Sequence, residues 1–280
     1  MKYLPARVVV ACLITLGLLA CKREAPAPAP APVSPPPTST LVTPAPIPAA
    51  PLADVIETTS DYRIGISYPP SAAKYPGLVV ELQRYTDAAR ADLLEAVKER
   101  KAGTDSGSPY ELSLSFTEVL DSPSMFAVAA DGSSYTGGAH GTPLIARFVW
   151  LPQAGRLLTA SDLVPDAKSW LPIAASVREQ LLTALSQRVD ADELAPAERL
   201  EVVKSASRMI EDGTKPAAET FAMFEPVAAP SGKLRALRFV FAPYQVGPYS
   251  DGIQTVEVPA SVLLPHVAPA YRELFQAGPG

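Results

Sequence analysis

Two short stretches rich in glycine, proline and tyrosine hold the side chains best suited to contact a ligand. They are Tyr-Thr-Gly-Gly-Ala-His-Gly at residues 135–141 and Pro-Tyr-Gln-Val-Gly-Pro-Tyr-Ser-Asp-Gly at residues 243–252. A tyrosine offers a flat apolar face and a hydroxyl, which suits both a sugar ring and a protein interface. The alternatives are that the tyrosines fill a sheet edge and that the paired glycines serve only a tight bend. We predict a binding surface made of Tyr135, Gly137, Gly138, His140, Tyr244 and Tyr249.

The same stretches give little support for catalysis. His140 could act as a base, but His266 is the only other histidine, and a zinc site needs three or four ligands. Neither the G-x-S-x-G nor the H-E-x-x-H pattern occurs in the chain. We predict no catalytic residues, no metal and no cofactor. A Ser-His-acid triad can still assemble from distant residues, so an enzyme that acts on envelope glycans through His140 stays as an alternative.

The first 20 residues have the features of a lipoprotein signal peptide. Lys2 and Arg7 give a positively charged start, and an apolar run follows at residues 8–19. This run is shorter than the roughly 20 residues that span a bilayer. The run ends in Leu-Leu-Ala-Cys, which resembles a bacterial lipobox. We predict cleavage before Cys21 and attachment of a lipid such as palmitate there. Cys12 would leave with the signal, so the mature chain would have no cysteine for a disulfide.

Residues 21–51 are predicted to be the lipidated cysteine and a disordered linker rich in proline and alanine. Such a segment cannot bury enough apolar surface to fold, and its residues 24–51 would reach at most about 85 Å as polyproline II. Lys22 stands where aspartate favours inner-membrane retention in enterobacterial lipoproteins. We therefore predict an anchor on the periplasmic face of the outer membrane, with the inner membrane as the alternative.

The charge of the chain argues against nucleic acid as a partner. The formal net charge is −5, and it becomes −7 when the signal peptide removes Lys2 and Arg7 and no acidic residue. A mildly acidic chain without a basic run binds nucleic acid poorly. The expected partners are the membrane, through the lipid on Cys21, and either peptidoglycan or a lysozyme-like protein.

The remaining sequence predicts strands and helices in clusters. Alternating apolar residues predict strands at residues 55–68, 110–119, 125–130, 142–151, 221–227, 234–242 and 253–258. Apolar residues at helical spacing predict helices at 77–101, 166–189, 196–212 and 265–275. Turns are expected at residues 103–109, 131–132, 155 and 230–232. Because the elements do not alternate strictly, we predict an α+β fold with an antiparallel sheet packed with long helices.

Several of these motifs resemble a known bacterial domain of unknown function, DUF3298. The glycine-rich stretch at 135–140, followed by a strand and by Gly-Arg-Leu-Leu at 155–158, is similar to its beginning. Phe-Val-Phe-Ala-Pro-Tyr-Gln-Val-Gly-Pro-Tyr at 239–249 is similar to its end. The resemblance covers roughly residues 125–275, and we assign residues 123–280 to this domain. Residues 52–122 are similar to its frequent companion, DUF4163.

This pair of domains resembles the extracytoplasmic part of anti-sigma factors that sense lysozyme, and the front of some peptidoglycan deacetylases. The resemblance implies a module at the cell wall. The chain shows neither a sigma-binding segment nor a deacetylase domain, so neither activity is carried over. We predict a lipid-anchored envelope module that binds peptidoglycan or a wall-active protein such as lysozyme without catalysis. The alternatives are the His140-dependent enzyme and a purely structural lipoprotein.

Overall fold

The computed structural model describes residues 52–100, 108–192 and 194–276, which all belong to one compact unit, Ile47–Gly280. The predicted signal peptide, Cys21, the proline-rich linker and most of the predicted break at 103–109 lie outside the described residues. In the described ranges, every helix is too short or too polar to cross a membrane.

A six-stranded sheet carries the first of the two loops singled out above, and its strands lie in chain order. They are β1 (Val55–Thr58), β2 (Tyr62–Ser67), β3 (Tyr110–Asp121), β4 (Phe126–Tyr135), β5 (Thr142–Leu151) and β6 (Arg156–Leu157). Neighbours pair antiparallel except β2 and β3, which are parallel. The prediction of a single strand at 55–68 is wrong. The hydroxyl of Thr59 accepts hydrogen bonds from the N–H groups of Asp61 and Tyr62 and holds a turn between β1 and β2.

Helix α1 (Pro76–Glu99) makes the crossover between the parallel strands β2 and β3, which a tight hairpin cannot join. Proline in its first turn costs no hydrogen bond, because the first N–H groups of a helix have no partner within it. The predicted apolar stripe buries Leu78, Leu82 and Leu93 in a core shared with Phe116 and Phe148 of the sheet. The helix predicted at 77–101 is therefore confirmed, with ends displaced by one and two residues.

Strand β4 does not end at Asp131-Gly132 as the sequence predicts. It continues to Tyr135, because Gly132 is a point of close approach between strands and not a turn. A Cβ atom on Gly132 would lie 2.0 Å from the backbone oxygen of Ser113 on β3. The connection from β4 to β5 is therefore the short segment 136–141, which contains His140 and the paired glycines.

A second sheet of three antiparallel strands carries the other loop. It contains β7 (Phe224–Ala228), β8 (Leu234–Phe241) and β9 (Gln254–Pro259), with β8 in the centre. The three strands predicted in this region are confirmed, although β7 begins three residues later than predicted because hydrogen-bonded turns occupy residues 217–222. The loop at 243–252 lies in the connection from β8 to β9.

Helices α3 (Trp170–Ala191) and α4 (Pro196–Gly213) pack against each other, and α3 also contacts β9. They lie where helices are predicted, and the carboxylate of Asp166 caps a short 3-10 turn that leads into α3. The indole of Trp170 stacks on Phe221 with ring centroids 5.3 Å apart and donates to the carbonyl of Val164. Leu200 of α4 is 65% exposed.

The helix predicted at 265–275 is wrong. The chain instead forms short α2 (Ala160–Leu163) earlier, short α5 (Ala260–Leu263), and a 3-10 segment at Pro269–Leu274. The N–H of Ala268 donates to the carbonyl of Leu163, a partner outside any local helix, and Pro269 follows. The hydrogen bonds of a continuous helix are therefore replaced by a long-range contact.

The predicted α+β class is confirmed, with one parallel strand pair in an otherwise antiparallel fold. The pairing of β3 with β4 crosses residues 122–123, where the sequence analysis divides the two domains. The first sheet therefore contains strands from both predicted domains.

Candidate functional site

The structure brings the two predicted loops into contact. The hydroxyl of Tyr244 lies 3.1 Å from Nε2 of His140, 104 residues earlier in the chain. The imidazole of His140 also stacks on the ring of Tyr249, with centroids 3.9 Å apart and an angle of 16° between the planes. Tyr244 and Tyr249 are neighbours, with centroids 5.6 Å apart. We call His140, Tyr244 and Tyr249 the aromatic cluster.

The first loop is built to present His140. Gly137 and Gly138 both have positive φ, 98° and 96°, a region that side chains other than glycine rarely adopt. The hydroxyl of Tyr135 donates to the carbonyl of Gly138 at 3.2 Å and holds this bend. Tyr135, Gly137 and Gly138 therefore shape the loop, and among the predicted residues of this loop it is His140 that reaches the second loop.

The imidazole of His140 has a polar partner at each ring nitrogen. Nδ1 lies 3.3 Å from the carbonyl oxygen of Gly141, which can only accept. Nε2 lies 3.1 Å from the hydroxyl of Tyr244, which can donate or accept. Both ring nitrogens have partners, and the ring face is held by Tyr249. This arrangement fixes the orientation of the imidazole.

The second loop is held by backbone contacts. Tyr244 has a φ of 72° and is the only described residue other than glycine with positive φ. Its N–H donates to the carbonyl of Gly247. The side-chain amide of Gln245 donates to the carbonyl of Thr220 at 3.2 Å, and a Cβ on Gly213 would lie 1.9 Å from the carbonyl of Gln245. The loop is therefore pressed against the end of α4.

Tyr249 connects the two loops a second time. It begins a 3-10 turn, Tyr249–Asp251, and its hydroxyl donates to the carbonyl of Gly141 at 3.3 Å. The carboxylate of Asp251 pairs with Arg188 of α3 at 2.6 Å. Half-buried Tyr249 is therefore fixed from both sides, whereas Tyr244 is 57% exposed and His140 is exposed.

An ion network centred on buried Arg147 and Glu225 joins the two sheets and was not predicted from the sequence. Arg147 of β5, with a side chain 6% exposed, donates to Glu225 of β7 at 2.7 Å and to Asp131 of β4 at 2.9 Å. Arg238 of β8 continues the network to Glu225 and to Glu257 of β9. The hydrogen bond from Arg238 holds the pKa of Glu257 below its usual value, against the smaller opposing effect of burial. A lone arginine inside an apolar strand was the available signal, because a buried charge requires a partner.

The aromatic cluster exposes the side chains of His140 and Tyr244 to solvent. It presents flat apolar faces and polar edges, and across the described ranges no group of three histidine, cysteine or acidic side chains is placed to hold a metal. An apolar groove of about 380 Å³ lies between α3 and α4, lined by Leu182, Leu185 and Leu200 among others. That groove contains no residue of either loop.

Comparison with protein families identifies one domain in this chain. Residues 173–261 match the sequence profile of DUF3298, a protein family of unknown function, so the chain contains a DUF3298 domain. The matched range contains α3 from its fourth residue onward, α4, the second sheet and the loop with Tyr244 and Tyr249. It begins after the loop with His140, and it is narrower than the predicted 125–275. The pairing with DUF4163 stays a prediction.

Solved structures that are similar to this chain include the following two. One is a DUF3298 family protein from Pseudomonas aeruginosa PAO1, with 15% identity, a TM-score of 0.49, and coverage of 81% of this chain and 94% of that one. The other is a member of the same family from Bacteroides fragilis, with 16% identity, a TM-score of 0.44, and coverage of 78% and 93%. No curated protein sequence matches the chain.

Proposed function

We propose that this protein is a lipid-anchored binding module of the cell envelope, and that the aromatic cluster binds peptidoglycan. The observation that carries the proposal is the contact of His140 with Tyr244 and Tyr249, which joins two distant loops into one exposed surface. The faces of sugar rings carry C–H groups that pack on aromatic rings, and their hydroxyls bond to the polar edges. Such a surface can therefore bind a glycan strand without reacting with it.

The backbone of Tyr244 adds support to the proposal. A left-handed conformation costs a residue other than glycine roughly 1–2 kcal/mol, and such conformations cluster at ligand sites where the surroundings enforce them. Here the conformation directs a large aromatic ring toward solvent, where it is 57% exposed. The backbone conformation of Tyr244 costs free energy and its ring gains little from burial, so we expect the ring to contact a ligand.

The predicted anchor agrees with this function. A lipid on Cys21 and a proline-rich linker of residues 21–51 would hold the folded part on the periplasmic face of the outer membrane, within reach of the wall. The net charge of −7 expected for the mature chain disfavours polyanions as ligands. Neutral glycan strands meet no such barrier.

Retention on purified sacculi tests the proposal. The full chain, purified in detergent, is mixed with sacculi, with lysozyme immobilised on beads, and with bare beads. Tyr244→Ala is expected to weaken retention on sacculi by about 2 kcal/mol, or roughly 30-fold in affinity, as an exposed aromatic anchor does. Tyr271→Ala, which removes a half-exposed tyrosine outside both loops, is the matched control.

The outcomes separate the alternatives. Retention on lysozyme alone would replace peptidoglycan with a wall-active protein as the ligand. Retention on neither, with the control folded, would contradict the binding function and favour a structural lipoprotein. Turnover of wall fragments that His140→Ala abolishes would show an enzyme instead.

A further inference from the structure

A small cavity opens beside the loop that carries His140. It has a volume of about 260 Å³ and lies between the second half of α1 and the loop ends of β4 and β5. Its polar lining consists of Asp92, Ser134, Thr136 and Thr142. Thr136 and Thr142 flank the loop on either side, so the cavity and the aromatic cluster share one loop.

The polar side chains that line this cavity make no side-chain hydrogen bond or ion pair with another residue that the structure describes. Within residues 52–100, 108–192 and 194–276, the carboxylate of Asp92 and the hydroxyls of Ser134, Thr136 and Thr142 make no side-chain hydrogen bond or ion pair. Three hydroxyls that can donate or accept therefore converge with one strong acceptor. Thr136, Thr142 and Asp92 are exposed, so a ligand can reach them.

The rest of the cavity wall is apolar. Ala89 is buried, and Ala96 and Leu144 are half-buried. The cavity is smaller than the roughly 300–1,000 Å³ of pockets for drug-sized ligands, so it suits a group of about one ring. A ligand that fits must combine hydroxyls, a polar acceptor and a small apolar group in one ring-sized unit.

We propose that this cavity is a subsite for one N-acetylhexosamine ring of a neutral glycan. The proposal rests on the proposed function and names the chemical class of its ligand. Ring hydroxyls donate to Asp92, the threonine and serine hydroxyls donate to the acetamido carbonyl, and the acetyl methyl packs on Ala89 and Leu144. The carboxylate of Asp92 repels phosphate and carboxylate groups, so the ring that enters the cavity is uncharged.

Calorimetry with defined oligosaccharides tests this subsite. The full chain in detergent is titrated with a tetrasaccharide of N-acetylglucosamine and with a glucose tetrasaccharide of the same linkage. Asp92→Asn and the pair Thr136→Val with Thr142→Val are each expected to weaken binding of the first sugar by tenfold or more. Asp87→Asn on α1 and Thr255→Val on β9, both exposed and outside the cavity, are the matched controls and are expected to bind within twofold of the parent.

The same variants are also tested for retention on sacculi, so the two proposals fail in different ways. If the cavity variants bind like the parent while Tyr244→Ala does not, the subsite is wrong and the aromatic cluster stands. If the glucose tetrasaccharide binds as tightly as the acetylated one, the assignment to N-acetylhexosamine is wrong. If the protein is retained on sacculi but does not bind the acetylated tetrasaccharide, the subsite is wrong and the function as a binding module stands. If the protein is not retained on sacculi and does not bind the acetylated tetrasaccharide, both proposals are wrong.

Discussion

Replacing Tyr244 with glycine separates the binding role of this side chain from its contribution to the fold. Tyr244 has a φ of 72°, shares a hydrogen bond with Nε2 of His140 and is 57% exposed. Glycine adopts this backbone conformation without strain, so the substitution removes a side chain and an unfavourable conformation together. Alanine at the same position removes the side chain and keeps the strain.

The expected change in stability follows from three opposing effects. Glycine relieves roughly 1–2 kcal/mol of left-handed strain, but it loses about 0.5–1 kcal/mol more backbone entropy on folding. The lost hydrogen bond to His140 costs about 0.5–1.5 kcal/mol, at the low end for an exposed pair. We expect Tyr244→Gly to change the free energy of unfolding by less than about 1 kcal/mol. It should be more stable than Tyr244→Ala by about 0.5–1 kcal/mol.

Urea unfolding followed by tryptophan fluorescence measures these changes, because both reporters, Trp150 and Trp170, are buried. Retention on sacculi is measured on the same preparations and should fall by about 30-fold for both Tyr244 variants. Tyr249→Ala provides the contrast, since Tyr249 is half-buried, stacks on His140 and donates to Gly141. It should lose both binding and about 1–3 kcal/mol of stability.

Two results would refute this reasoning. If Tyr244→Gly were less stable than Tyr244→Ala, the backbone of Tyr244 would not be strained. If Tyr244→Gly bound sacculi as well as the parent, the exposed ring would have no role in recognition, and the aromatic cluster would serve only to join the loops.

Three further substitutions test the framework behind the loops. Gly132→Ala should destabilise the fold by at least about 2 kcal/mol, because its Cβ would lie 2.0 Å from a β3 carbonyl oxygen. Gly65→Ala on β2 is the control, since its Cβ would meet nothing within 4 Å and stability should hardly change. Urea unfolding compares the two variants. Arg147→Met should cost about 3 kcal/mol, since it leaves a buried carboxylate with one cation fewer. Arg235→Met removes a guanidinium that is 45% exposed and should cost less than about 1 kcal/mol in the same assay; equal costs would contradict the difference in burial between the two arginines. Glu257 has a lowered pKa in the folded chain, so its contribution to stability is present above the unfolded pKa of about 4.3 and is lost as pH falls through the folded pKa. The free energy of unfolding, measured from pH 7 to pH 2, should therefore show the destabilisation by Glu257→Gln shrinking below about pH 4. A destabilisation that does not change with pH would contradict this.

The sequence identified the two loops but could not show that they meet. Tyrosine, glycine and proline mark each loop locally, through turn chemistry and side-chain type. The contact between His140 and Tyr244 spans 104 residues, and it depends on how the two sheets pack. No local pattern reports that packing.

The errors at element ends share a cause, which is that long-range contacts override local signals. Asp131-Gly132 has the composition of a turn, yet Gly132 lies inside a strand because β3 passes too close for any side chain. Residues 265–275 have helical spacing, yet Ala268 bonds to Leu163 instead. Residues 55–68 alternate like one strand, and the turn at Thr59 is held by a single hydroxyl.

The ion pairs of Arg147 were not predicted from the sequence, although the sequence showed that this residue needs a partner. Its strand, Thr142–Leu151, is otherwise apolar, and a charge at its centre must be paired if the strand is buried. The sequence therefore contained the requirement for a partner. It did not name Glu225, which is 78 residues away on the other sheet.

The aromatic cluster joins a loop of the first sheet to a loop of the second, so it exists only in the folded chain. A ligand that touches both loops binds the native state alone, and by mass action it raises the free energy of unfolding by RT ln(1 + [L]/Kd), about 2.7 kcal/mol at 100 times Kd. The melting temperature thereby reports occupancy for any class of ligand. A library of envelope fragments can be ranked by thermal shift before the identity of the natural ligand is known.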